Sequence, residues 1–234
     1  MNELRLLDGS TIAARNLFCI GRNYAEHAAE LHNPVPTEPV VFLKPSSALL
    51  SSGGQIRLPV WSRDVQHEVE LVVLLGEGGR DISNDQALAK VAGYGVGIDV
   101  TARDIQTRAK QNGLPWTLAK GLDTFAPLSE FIPAGRIADP QALQLSLEIN
   151  GQPRQRGNTA DMLFPVAELI VWLSARFSLA RGDLLFTGSP AGVGPIVPGD
   201  RLTARLQDYS PSGRNNSSRS AWLSVDAIAP PPSL

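Results

Sequence analysis

Apolar residues along the chain fall mostly in short runs with period-two alternation, separated by Gly-, Pro- and Ser-rich punctuation. This pattern predicts strands at 16–21 (NLFCIG), 40–45 (VVFLKP), 55–59 (QIRLP), 66–75, 93–100 (GYGVGIDV), 143–151 (LQLSLEING) and 183–188 (DLLFTG), with a last one at AWLSVDAI. Helical spacing is confined to four stretches. Residues 23–32 read as a short helix with a capping box at Asn23 and Glu26, ended by the prolines of 33–39. Residues 85–92 follow Ser83 as a cap. Residues 101–113 have a second capping box at Thr101 and Asp104, with Gly113 as the terminating residue. The fourth helix runs from Pro165 to about Phe177. Many short strands and few helices predict a β-rich α+β fold, a roll or sandwich rather than a doubly wound sheet.

One run departs from the pattern. HEVELVVLLG, 67–76, reads as a buried strand but carries two acids. Alternation puts Glu68 and Glu70 on one face with Val72 and Leu74, and His67, Val69, Leu71 and Val73 on the other. Two ionised carboxylates about 7 Å apart at Cα in a half-dry place need a proton, a basic side chain or a metal ion. The 93–100 strand supplies a third acid. Tyr94, Val96, Ile98 and Val100 share one face, and Gly95, Gly97 and Asp99 the other, which leaves room for a group to approach the backbone. Glu68, Glu70 and Asp99 together make an all-oxygen set suited to Mg²⁺ or Mn²⁺, with Ca²⁺ also compatible. The competing reading is an ordinary set of exposed acids. His67, on the opposite face, reads as a satisfied buried histidine.

Composition narrows the class. The chain has 234 residues, a net charge of −2 and one cysteine, Cys19. There is no block of Lys or Arg, so neither nucleic acid nor an anionic membrane is indicated as a partner. A lone cysteine in an apolar strand reads as a core residue in a reducing compartment. The N-terminus shows no signal-peptide pattern, and VAELIVWLSARF is short and carries Glu168 and Arg176. The expectation is a cytoplasmic protein, residues 1–234 forming one catalytic domain, with 206–234 of unassigned role.

Six motifs then occur in a familiar order: GRNYAEHAAEL, FLKP, HEVELVVLLG, GIDVTARDIQ, GLPWTLAKGLDTFAP and FTGSPAGVGP. Over residues 16–205 the chain resembles the fumarylacetoacetate hydrolase family, its short acylpyruvase-like members above all. The resemblance implies a mixed β-sandwich roll, a homodimer, and metal ligands at Glu68, Glu70 and Asp99. It implies that His27 and Glu30, three apart on one helix face, activate water; the shortness of that helix and its proline-rich end make 23–37 a candidate lid. It places Lys120 against substrate oxygen, Arg103 and Gln106 on substrate carboxylate and carbonyl, and Thr187 and Gly188 on a pyruvoyl carboxylate. Arg22 and Lys44 are further candidates. The implied activity is metal-dependent hydrolysis of acylpyruvate-type 1,3-diketo acids to pyruvate and a carboxylic acid. The alternatives on the same site are decarboxylation or keto–enol tautomerisation of oxaloacetate and isomerisation of a diacid. A non-catalytic small-molecule binder is the reading from a different class.

Overall fold

The computed structural model describes residues 3–31, 34–209 and 219–230. Its main sheet has eight strands. In spatial order these are Val40–Lys44, Leu17–Gly21, Leu184–Phe186, Val69–Leu75, Val91–Ile98, Ala126–Leu128 and Leu49–Ser51, with Ile132–Pro133 also pairing on Val91–Ile98. Leu184–Phe186 runs parallel to Leu17–Gly21, and Ala126–Leu128 parallel to Leu49–Ser51; the remaining pairs are antiparallel. A five-stranded sheet runs Gln152–Asn158, Leu143–Ile149, Arg201–Asp208, Ser220–Ile228, Gln55–Arg57. It covers one face of the main sheet: Leu143, Leu145, Leu147, Leu202, Ala204 and Val225 pack in one core with Val69, Leu71, Val73, Val96 and Ile98.

The other face is buried as well. Leu17, Cys19, Val72, Leu74 and Phe186 form a second core, closed by Leu4, Leu6 and Ile12 of the Glu3–Arg5/Thr11–Ala13 hairpin. Burial on both faces explains why 69–75 is apolar without interruption after Glu70. The predicted alternation holds, since Val69, Leu71 and Val73 lie in the first core and Val72 and Leu74 in the second. Cys19 is buried in the second core, as expected.

Four expectations need correction. The strand expected at 66–75 is two strands, with Glu68 as the joint between them. Val65–His67 pairs with Thr101–Ala102 and Gly194–Pro195 in a small three-stranded sheet, while Val69–Leu75 stays in the main one. Gln155 holds the joint from the five-stranded sheet. Its Oε1 accepts the Val69 N–H at 2.9 Å and lies 2.8 Å from His67 Nδ1. His67 is thus a satisfied buried residue.

The glycine face of 93–100 is not open to a ligand. A Cβ on Gly97 would stand 2.7 Å from Phe186 Cε1 and from Val72 Cγ2, and one on Gly95 3.1 Å from the Phe131 ring. The glycines admit two aromatic rings into the second core.

Neither capping box forms. The helix expected at 23–32 spans Ala25–Glu30, beginning after Tyr24, and residues 32 and 33 lie outside the described residues. The Asn23 side chain instead donates to the carbonyls of Thr187 (2.8 Å) and Phe164 (3.0 Å) and accepts the Phe164 N–H (2.8 Å). The helix expected at 101–113 spans Arg103–Gln111. The Thr101 hydroxyl donates to the Asp99 carbonyl two residues back, and Asp104 accepts from Ser62 and Arg63. Long-range partners take Asn23 and Asp104 from the local cap, and Thr101 turns back to a carbonyl two residues away.

The C-terminal signal of that helix holds. Gly113 has φ +63°, its N–H reaches the Lys110 carbonyl, and the Leu114 N–H reaches Ala109, which is a Schellman closure. The helix expected at 85–92 is one turn, Asn84–Ala87, followed by a 3₁₀ turn, and Val91 already belongs to the next strand. The helix beginning after Pro165 spans Val166–Ser174. The last strand is Ser220–Ile228; the Ser/Asn/Arg stretch 210–218 lies outside the described residues.

Candidate metal and substrate site

Five separate elements end at one place. Glu68 is the joint just described, Glu70 the second residue of Val69–Leu75, and Asp99 follows the end of Val91–Ile98. Lys44 closes Val40–Lys44, and Lys120 closes the short helix Thr117–Lys120. Oxygens of Glu68, Glu70 and Asp99 lie within 4.8 Å of one another, and all three residues are buried. The reading of exposed acids therefore fails.

The charges around the trio are unequal. Lys120 Nζ lies 2.7 Å from Glu68 Oε2 and 2.6 Å from Asp99 Oδ2. Lys44 Nζ lies 2.7 Å from Asp99 Oδ1. It also donates to the carbonyls of Val100, Phe125 and Lys120. Arg103 pairs with Glu68 through Nη2. Burial raises the pKa of Glu68, but Lys120 and Arg103 overcome that and hold it well below the usual carboxylate range. Burial opposes a charged Lys120 too, and Asp99 and Glu68 hold its pKa above the ordinary value.

Glu70 has no such cation. Its Oε2 accepts the Gly188 N–H at 2.9 Å, and no ion pair reaches it among the described residues. Burial, then the charges of Asp99 and Glu68, push its pKa well up. A cation is the natural substitute for the proton that Glu70 would otherwise keep. Oxygens around one octahedral ion at about 2.1 Å stand roughly 3 to 4.2 Å apart. The trio's spacing and hard donor set therefore fit a divalent cation of the Mg²⁺ or Mn²⁺ kind.

Beside the trio is a small cavity of about 30 Å³. Glu68, Glu70, Lys120, His27, Arg22, Arg103 and Gln106 line it, together with Phe42, Lys110, Trp116 and Ser189. His27 and Glu30 do share a face: His27 Nδ1 is 3.4 Å from Glu30 Oε2. Burial lowers the pKa of His27. Both Glu30 oxygens accept the Gly192 N–H, at 3.1 and 3.2 Å, which ties the helix to the 188–194 loop.

Three expected ligand groups are already engaged. Arg103 donates to Gln66 (2.8 Å) and Gln106 (2.7 Å) as well as to Glu68. The Thr187 hydroxyl is buried and donates to the Leu71 carbonyl at 2.9 Å. The Gly188 N–H holds Glu70 rather than facing outward. Gly188 itself has φ +97°, and a Cβ there would stand 2.6 Å from Asn23 Cβ. Only glycine lets the turn pass the Asn23 clamp.

Lys110 and Trp116 were missed in the sequence. Trp116 packs on Phe42 with centroids 5.6 Å apart, and Lys110 lies 5.4 Å over its ring. The signal was present in GLPWTLAKG, where an aromatic sits four residues before Lys120.

A model of the fumarylacetoacetate (FAA) hydrolase C-terminal family matches residues 16–214. The chain belongs to the fumarylacetoacetate hydrolase family. Within it, the mitochondrial oxaloacetate tautomerase of Arabidopsis thaliana is 46% identical over 194 residues, 83% of this chain and 87% of the relative. The mitochondrial oxaloacetate decarboxylase of Dictyostelium discoideum is 48% identical over 186 residues, 79% of this chain and 85% of that one. Among solved structures, fumarylpyruvate hydrolase of Pseudomonas aeruginosa in complex with Mn²⁺ and pyruvate superposes with a TM-score of 0.87 at 35% identity, covering 97% of this chain and 96% of that one. The fold is thus the β-rich roll of the fumarylacetoacetate hydrolase family. No helix among the described residues is long and apolar enough to cross a membrane. The expectation of a cytoplasmic location finds no support in these two relatives, both named mitochondrial.

Proposed function

We propose that the chain is a divalent-metal-dependent enzyme that interconverts the keto and enol forms of oxaloacetate or a closely similar 2-oxo acid. The observation that carries this reading is the buried His27, held at Nδ1 by Glu30, lining the same cavity as Glu68, Glu70 and Lys120. The two relatives at 46% and 48% identity, an oxaloacetate tautomerase and an oxaloacetate decarboxylase, support it over C–C hydrolysis.

Glu68, Glu70 and Asp99 would hold the cation, which when bound supplies Lewis-acid polarisation of the 2-oxo group. The chain's own residues do the rest. His27 takes the proton from the carbon next to the keto group. Its lowered pKa keeps the imidazole neutral, and so able to accept, near pH 7. Glu30 sits at Nδ1 and leaves Nε2 as the free base. The ammonium of Lys120 stays charged beside Glu68 and Asp99 and stabilises negative charge developing on the substrate oxygen. Arg103 and Gln106, already bonded to each other, form one wall against substrate oxygens. Thr187 and Gly188 shape the floor under Glu70. A cavity of about 30 Å³ holds little more than water, so the Ala25–Glu30 helix must swing outward for substrate to enter.

The second reading is hydrolysis of an acylpyruvate, with His27 activating water instead. The specific observation for it is the Mn²⁺- and pyruvate-bound fumarylpyruvate hydrolase structure. One experiment separates them. Mn²⁺-loaded protein is given enol-oxaloacetate, acetylpyruvate and fumarylpyruvate in parallel, with enol absorbance, pyruvate and CO₂ followed. Accelerated enol decay without comparable pyruvate release from the acylpyruvates is the expected result. Rapid acylpyruvate cleavage with uncatalysed enol decay would replace tautomerisation by hydrolysis.

A further inference from the structure

The cavity holds more positive charge than the acidic trio needs. Lys44, Lys120 and Arg103 are all committed to Asp99 and Glu68. Arg22 and Lys110 line the same cavity, and no carboxylate pairs with either among the described residues. They reach it from different elements: Arg22 from the turn after Leu17–Gly21, Lys110 from the last turn of Arg103–Gln111. We propose that Arg22 and Lys110 form a subsite for a second carboxylate, so that the site selects 2-oxo dicarboxylic acids over 2-oxo monoacids. This deepens, and rests on, the 2-oxo acid reading above.

Three observations support the subsite. Lys110 feels burial and then the like charges of Arg22, Arg103 and Lys120 strongly enough that its pKa falls to about 8. The one opposing charge, Glu68, does not offset them, so the cations here outweigh the anion that faces them. Arg22 is held at φ +61°, a left-handed conformation uncommon for a residue with a side chain. The Asn23 clamp on Thr187 and Phe164 keeps it there and fixes where its side chain starts. Strain of this kind persists where the surroundings over-determine it, as at ligand sites. Finally, the Trp116 ring lies beneath the Lys110 ammonium and beside Gly21, the residue before Arg22, so one aromatic wall borders both elements that carry the cations.

The subsite also bears on which reaction follows. Loss of CO₂ breaks the C3–C4 bond, sends its electron pair to C3 and removes the charge from the distal carboxylate. Two cations on that carboxylate oppose the step. Removal of a proton from C3 leaves the distal charge in place, so the same cations leave tautomerisation unhindered.

The test uses two ligands that differ only in the distal group, malate and 2-hydroxybutyrate, each as both enantiomers. Neither has a keto group to enolise. Calorimetry on the Mn²⁺-loaded protein is expected to show malate binding about ten-fold or more tighter. Lys110→Met and Arg22→Gln each reduce that ratio several-fold without weakening 2-hydroxybutyrate, and Lys110→Arg retains it. Equal affinity for the two ligands in the wild-type protein, or a ratio untouched by both substitutions, would overturn the subsite. Oxaloacetate turnover is measured on the same preparations. A charge-dependent malate preference without tautomerisation keeps the subsite and removes the functional reading; tautomerisation without the preference does the reverse.

Discussion

The ammonium of Lys44 stands 2.7 Å from Oδ1 of Asp99, and both side chains are sealed from solvent. Three backbone carbonyls take its protons, so the lysine is fixed before any ligand arrives. Breaking a buried pair by removing one partner strands the other charge. Lys44→Met is expected to cost about 3–5 kcal/mol of stability in the metal-free protein, read by urea titration. A loss under 1 kcal/mol would mean that Asp99 is neutralised by Lys120 alone.

Glu70 predicts the opposite sign. Its folded-state pKa lies above the unfolded value of 4.5, so its contribution to stability is full below that value and is lost as pH rises through the folded pKa. Glu70→Gln therefore raises the Tm of the metal-free protein at pH 8, and has little effect at pH 4. The same substitution removes Mn²⁺ binding, measured by calorimetry. A lower Tm at pH 8 would show that the carboxylate is compensated after all.

Gly97 lies where the Phe186 ring needs space. Gly97→Ala places a Cβ 2.7 Å from Phe186 Cε1 and Val72 Cγ2, and is expected to cost about 1–3 kcal/mol by overpacking. Adding Phe186→Leu should recover part of that loss. Additive destabilisation in the double variant, by denaturant titration, would contradict this packing account.

His27 predicts a pH profile. As pH falls through its pKa the imidazole protonates and can no longer accept a proton. Because burial lowers that pKa, the acid limb of kcat/KM for enol-oxaloacetate falls below pH 6.5, the ordinary histidine value. His27→Ala lowers kcat by about 10²–10⁴-fold and abolishes the limb. A limb above 6.5, or one that survives the substitution, would assign the base to another group.

Lys110 predicts a limb on the other side. Burial first, then the like charges of Arg22, Arg103 and Lys120, with Glu68 opposing, bring its pKa down to about 8. The ammonium is charged below that value and neutral above it. The malate preference therefore declines between pH 7 and pH 9, while 2-hydroxybutyrate affinity shows no matching change. Lys110→Arg, charged throughout, holds the preference flat.

Period-two alternation put Glu68, Glu70 and Asp99 on candidate faces and sorted Val69 and Leu71 from Val72 and Leu74, while Gly113 marked the end of the helix expected at 101–113 and found at Arg103–Gln111. These are local properties: side-chain direction in a strand and the left-handed preference of glycine depend on neighbours in the chain. Tertiary structure decided the remainder. Whether the glycines beside Asp99 admit a ligand or Phe186, whether Asn23 caps a helix or clamps Thr187, and which lysine neutralises which acid all depend on atoms far apart in sequence. Lys44 and Asp99 are brought together only by the tertiary fold, since the strands that end at Lys44 and just before Asp99 have three others between them in the main sheet. Charge compensation acts through space at a few ångströms, and no pattern along the chain records that distance.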